Sequence, residues 1–326
     1  MQRRQFIHGL GAATSVVAGF PLQASAQAPG GRYVRLLLSA SPGGTADALF
    51  RIMEEPLRRA MGMPVVIEYK PGAGGATGHL EVARGARDGS VLGYAYSGPM
   101  STIPIMRPTV GYDPLKDLVP VAMIMKAPIV VMASTRIPAN DVGALLPFAR
   151  AQANGVSIGN AGLGGLSHLT AVQFANLGGF KSLHVPYKGT GPAVQALLSG
   201  EVDLVVTVTA ESISNLAKAG RIKIIGVCSD GPSPLVPGVA PVSRFIPGFT
   251  SEVMHGIVAP KGTPPDVVER INAAFVKVLS DKDVQSRFLA NSSVAMPGTP
   301  AQYAQAVATE YEQWAQVIKQ TGIKAE

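Results

Sequence analysis

Two stretches put glycines where an apolar run hands over to a helical pattern. SASPGGTAD (39–47) follows VRLLL, and SIGNAGLGGLSHL (157–169) holds the second such junction. The first turn of a helix leaves backbone N–H groups unpaired and carries the positive end of the helix dipole. Glycine has no Cβ, so an anion can approach those groups closely. The chemistry this allows is non-covalent capture of a small carboxylate between two facing helix N-termini. Gly43, Gly44 and Thr45 supply donors on one side, and Gly162, Gly164, Gly165 and Ser167 on the other, with Ser39, Ser97, Asn160, Thr207 and Thr209 completing the lining. His168 either donates to the anion or bonds to its own turn. Asp47, at the start of the first helix, offsets the dipole and repels a carboxylate placed too near. Each stretch alone also reads as an ordinary strand-to-helix turn.

Other chemistries fit less well. In PGAGGATG (71–78), Gly72-x-Gly74 is followed by Thr77 where a dinucleotide fingerprint needs its third glycine, and Gly162-x-Gly164 is followed by Ser167. No GxxxxGK[ST], GxSxG or HExxH occurs. His79, His168, His184 and His255 show no close metal-ligand spacing. No activated nucleophile stands out, so the expectation is a binding protein without catalysis, cofactor or metal.

The elements that must position these residues are short apolar runs alternating with amphipathic patterns. Strands are expected at 33–39, 64–69, 90–96, 119–125, 128–134, 156–160, 182–187, 203–208, 222–228 and 255–260. Helices are expected at 46–61, with a kink at Pro56, and at 76–87, 141–153, 166–178, 190–199, 211–219, 265–279, 282–290 and 300–320. Gly200 and Gly220 follow the last periodic residue of their helices, as C-terminal stops do. Strand-helix alternation with continuously apolar strands argues for parallel sheets covered by helices. The alternation restarts after about 125, and HGIVAP with three helices returns without strands enough for a third domain. The expected fold class is therefore α/β in two lobes, with the chain crossing twice between 32–125 plus 255–326 (domain 1) and 126–254 (domain 2).

The chain has 326 residues, 47% apolar and 15% charged, which suits a folded protein with a full core. Its start, MQRRQFIHGLGAATSVVAGFPLQASA (1–26), has a charged end, an apolar middle and an Ala24-Ser25-Ala26 cleavage pattern. Arg3-Arg4-Gln5-Phe6 resembles a twin-arginine signal, and an ordinary Sec signal is the alternative. Cleavage removes Arg3 and Arg4 and no acid, leaving a net charge of +5 with no dense basic run. Nucleic acid is a poor partner for such a surface. The single cysteine, Cys228, lies in a strand-like run and reads as a small core residue.

Longer motifs carry a resemblance. PGGTAD (42–47), KPGAGGATG (70–78), YDPLKDLVPVAMI (112–124), GLGGLSHL (162–169), HVPYKGTGPAVQALLSGEVDL (184–204) and APKGTP (259–264) make the chain similar to the Bug-type periplasmic receptors of tripartite tricarboxylate transporters over nearly all of 32–323. The resemblance implies a two-lobed periplasmic-binding-protein (Venus flytrap, type II-like) fold. It implies a monomeric receptor that holds a small mono- or dicarboxylate, partly through waters, on loops matching 39–47 and 160–168, and delivers it to membrane permease subunits. A ligand-dependent co-receptor for a sensor kinase is the alternative use of the same closure. Ser39 and Ala40 stand where the family often has Pro-Phe, so Ala40 is expected to widen the pocket. Met254-His255 before Gly256, and TVTAES (207–212), also depart from the family pattern.

Overall fold

The computed structural model describes residues 33–40, 42, 43 and 45–323. The expected export signal, 1–26, and Gly44 lie outside the described residues. The first part of the chain gives β1 (Val34–Leu38), α1 (Thr45–Met61), β2 (Val65–Tyr69), α2 (Ala76–Ala83) and β3 (Val91–Tyr96). A π-type turn at Gly98–Thr102 leads into the short α3 (Ile103–Met106) and then into β4 (Leu118–Ala133). The middle part gives α4 (Val142–Ala151), β5 (Val156–Asn160), α5 (Leu166–Gly178), β6 (Ser182–Pro186), α6 (Thr190–Ser199), β7 (Leu204–Val208), α7 (Glu211–Lys218) and β8 (Lys223–Val227). β9 (Glu252–Pro260), α8 (Pro265–Leu279), α9 (Lys282–Ala290), β10 (Val294–Ala295) and α10 (Pro300–Thr321) complete it.

Local chemistry fixes several of these bounds. Asp141 caps α4 by accepting the Ala144 N–H, and Thr299 and Gln302 cap α10 reciprocally. Gly200 ends α6 in the left-handed region at φ 79°, where a side chain costs about 1 kcal/mol or more. Pro56 lies within α1 without interrupting it.

Strand order is β2-β1-β3-β9-β4-β7-β5-β6, with β8 and β10 also paired to β4. β1 runs parallel to β2 and β3, and β5 runs parallel to β6 and β7. The all-parallel expectation fails at β4 and β9, which run antiparallel to their neighbours. Strands joined by helical crossovers come out parallel, whereas β4 and β9 pair with each other and meet β3 and β7 from the opposite direction. The two strands expected at 119–125 and 128–134 are in fact one. β4 pairs with β9 from Leu118 to Pro128, with β7 from Ile129 to Ala133 and with β8 from Val130 to Ala133.

One core gathers Leu49, Phe50, Met53 and Leu57 of α1 against Ile271 and Phe275 of α8 and the strands beneath. A second gathers Leu145, Ile158, Phe174, Val206 and Phe249. Each such side chain, fully enclosed, contributes about 1.5–3 kcal/mol. A smaller cluster of Leu169 (α5) with Trp314, Val317 and Ile318 (α10) has Ile105 and Met106 packed against it. In this two-lobed α/β architecture the π-turn and α3 that follow β3 face the start of α5 that follows β5.

Candidate functional site

The loop between β5 and α5 is built by its own side chains. Asn160 Oδ1 accepts the Gly162 N–H at 3.1 Å, Ser167 Oγ accepts the Ala161 N–H at 3.0 Å, and His168 Nδ1 accepts the Gly164 N–H at 3.1 Å. Gly162 (φ 151°) and Gly164 (φ 70°) occupy backbone conformations that side chains resist. Gly165, at φ −74°, does not, and its role is closeness rather than conformation. Among the described residues, nothing accepts from the N–H groups of Leu166, Ser167 and His168. Asn160 is fully buried, and its Nδ2 has no partner.

The electrostatics of this loop rest on dipoles. Burial pushes the His168 imidazole down, and its Nδ1 already accepts, so Nε2 carries the proton of a neutral ring. His184 stands edge-on at 5.5 Å and is pushed down to about 4, first by burial and then by His168. Neither ring is a cation at neutral pH. The α5 end is therefore a row of neutral donors suited to an anion without a fixed counter-ion.

The first loop is organised differently. Gly43 donates its N–H to Asp47 Oδ2 at 2.8 Å, Tyr69 donates its hydroxyl to Asp47 Oδ1 at 2.8 Å, and Arg51 pairs with that oxygen at 3.2 Å. These contacts, the Gly43 N–H foremost, hold the Asp47 carboxyl below its ordinary range. Gly43 thus serves its own loop, and Asp47 is its anchor. Thr45 opens α1 at an exposed position. Ser39 Oγ lies 2.9 Å from His79 Nδ1, and the Ser39 carbonyl accepts the Tyr96 hydroxyl at 2.9 Å. Ala40 is partly buried and packs against the first core.

The remaining expected residues divide. Thr207 is buried with its hydroxyl 2.8 Å from that of Thr190. Thr209 donates its N–H to the Pro128 carbonyl at 3.0 Å and keeps a buried hydroxyl without a partner. Ser97 is buried beside the Glu310 carboxyl of α10, which burial pushes up to about 7 and which Ser101 also approaches at 3.3 Å.

A cavity of about 370 Å³ opens between Gly74, Gly98 and α3 on one side and Leu163, Gly164, Gly165 and Leu166 on the other. Of the expected site residues, Gly164 and Gly165 line it. The opposite wall, 98–107, went unnoticed in the sequence because Pro99 and Pro104 mask a π-turn and a four-residue helix that have no periodicity. Among the described residues, no group of three His, Cys, Asp or Glu side chains could hold a metal ion.

The chain is similar to known proteins along most of its length. The family described as "Tripartite tricarboxylate transporter family receptor" matches residues 49–323. BugT of Bordetella pertussis is 30% identical over 315 residues, 94% of each chain. The structure of MatC from Rhodopseudomonas palustris with bound malate is 28% identical, covers 92% of this chain and 100% of that one, and superposes with a TM-score of 0.68. The structure of R. palustris Rpa4515 with adipate is 26% identical, covers 90% and 98%, and has a TM-score of 0.72.

Proposed function

The chain belongs to the tripartite tricarboxylate transporter receptor family, and on that premise we propose that it is an exported periplasmic receptor which captures a small mono- or dicarboxylate between its lobes and delivers it to a membrane permease. It is a solute-binding protein and not an enzyme. The observation that carries the ligand class is the α5 N-terminus. Three unpaired N–H groups begin the helix directly after Gly164 and Gly165, which line the cavity with bare backbone, and the buried Asn160 amide and neutral His168 belong to the same loop. A carboxylate is the anion held in two structures more than 25% identical to this chain, malate in MatC and adipate in Rpa4515.

The division we assign is 32–125 plus 255–326 in one lobe and 126–254 in the other. It is supported by the exchange of partners along β4, from β9 to β7 and β8, at Pro128–Ile129. Export is supported by residues 1–26, and no helix among the described residues is long and apolar enough to cross a membrane.

The test is a thermal-shift panel of aliphatic and aromatic carboxylates on the wild type and on Gly165→Val. A ligand at 100 times its Kd stabilises by about 2.7 kcal/mol. The valine should fold, because Gly165 has an ordinary φ and an added Cβ meets only the Gly162 carbonyl, at 3.4 Å. Its branched side chain crowds the N–H row, so stabilisation by carboxylates should fall by at least about 1.4 kcal/mol, a tenfold loss of affinity. Equal stabilisation of both proteins would remove the α5 end from the site.

A further inference from the structure

The cavity beside the α5 N-terminus has one charged side chain in its wall. Arg107 follows α3 directly and lines the cavity together with Ile103 and Met106, across from Leu163, Gly164, Gly165 and Leu166. Its backbone is pinned on both sides. The Arg107 N–H donates to the Ile103 carbonyl at 2.8 Å, and the Arg107 carbonyl accepts the Val110 N–H at 3.1 Å. Its guanidinium has no hydrogen bond or ion pair to any described residue. Arg35, Arg51 and Arg58 by contrast are each paired with a carboxylate. No acidic side chain lines the cavity to neutralise Arg107.

The wall therefore combines three kinds of surface: the bare glycines beside the unpaired N–H groups at the start of α5, the apolar side chains of Leu163, Leu166, Ile103 and Met106, and the permanent charge of Arg107. A short hydrocarbon chain with an anion at each end matches that set of surfaces. A monocarboxylate would satisfy the α5 end and leave the guanidinium facing hydrocarbon or water.

We propose that Arg107 is a specificity-determining residue that binds the second carboxylate of an aliphatic dicarboxylate whose first carboxylate sits at the α5 N-terminus. The assignment rests on the receptor reading given above. It sets the ligand preference by charge, because carboxylate–guanidinium contact is charge-assisted and two-pronged. A lysine at the same place keeps the charge and loses the fork.

The experiment is calorimetric titration of the wild type, Arg107→Gln and Arg107→Lys with matched pairs: succinate against butyrate, glutarate against pentanoate, and adipate against hexanoate. The wild type should bind at least one dicarboxylate about tenfold or more tighter than its monocarboxylate partner. Arg107→Gln should erase that ratio while leaving the monocarboxylate affinity unchanged, and Arg107→Lys should retain part of it. Both variants alter a half-buried side chain without partners, so melting temperatures without ligand should match the wild type. Binding that survives with an unchanged ratio in Arg107→Gln overturns the assignment and leaves the receptor reading standing. Equal losses for both members of each pair also overturn it, because Arg107 would then touch the shared carboxylate. If neither series binds the wild type, the assignment is overturned, and the receptor reading is decided separately by the panel that includes aromatic carboxylates.

Discussion

His79 and His255 are enclosed side chains with few ways to keep a proton. His79 Nδ1 lies between the Ser39 hydroxyl at 2.9 Å and the Gly75 carbonyl at 3.1 Å, and its Nε2 has no partner. His255 Nδ1 lies 3.2 Å from the Tyr94 hydroxyl. Burial pushes both rings down to about 4. An unfolded histidine titrates near 6.5, so between these values the unfolded chain binds more protons and stability rises with pH. His184, also pushed down to about 4, acts in the same direction, and Glu310, pushed up to about 7, opposes them, so stability should fall from about pH 6.5 toward pH 4 with a net slope approaching about 2.7 kcal/mol per pH unit. Urea midpoints at pH 7 and pH 5 measure it, and His255→Gln should roughly halve the difference. A flat profile would mean that water reaches these rings. At this scale the sequence was informative about polar chemistry and uninformative about partners. Asn160, Ser167 and His168 stand out beside their glycines, yet nothing in the spacing says that Asp47 takes the Gly43 N–H or that Ser97 faces Glu310, 213 positions away. Arg107 was missed for the same reason: its relation to Gly164 and Gly165 exists only in space.

The elements themselves were largely legible, and the exceptions have causes. α5, α6, α8 and α9 fall where their periodicity puts them. β4 was divided in two at Lys126-Ala127, where a charge and then Pro128 interrupt the apolar run. Prolines inside sheets sit at irregular places, and Pro120 borders a register shift against β9. β9 in turn has a requirement invisible to periodicity. Gly256 pairs with Ala95 and Met123, and a Cβ there would lie 2.2 Å from Tyr303 Cζ of α10. The helix comes down on the strand at a point where only hydrogen fits. Gly256→Ala should therefore cost about 1–3 kcal/mol through overpacking. The expected outcome is a lower urea midpoint at unchanged denaturant slope, and a midpoint within error of the wild type would show that Tyr303 can step aside.

Across the whole molecule, β4 and β9 lie side by side in the middle of the strand order, and α10 packs against β4. Gln313 of α10 donates to the Thr250 carbonyl at 2.6 Å and to Gln173 of α5 at 3.1 Å. α10 also carries Trp314, which is almost fully enclosed, with Leu166 and Leu169 contributed by α5 and Ile105 and Met106 by α3. This is the sole tryptophan in the sequence. The protein consequently carries a single indole fluorophore, set among side chains of α3, α5 and α10 in the cluster that includes Met106, next to Arg107. Excitation beyond the tyrosine band reads that one indole. Ligand capture that shifts α3 against α5 should change its emission maximum or its quenching by acrylamide, with no label attached. A spectrum that stays fixed at saturating ligand would place the moving parts elsewhere and leave α3, α5 and α10 as one optically silent block.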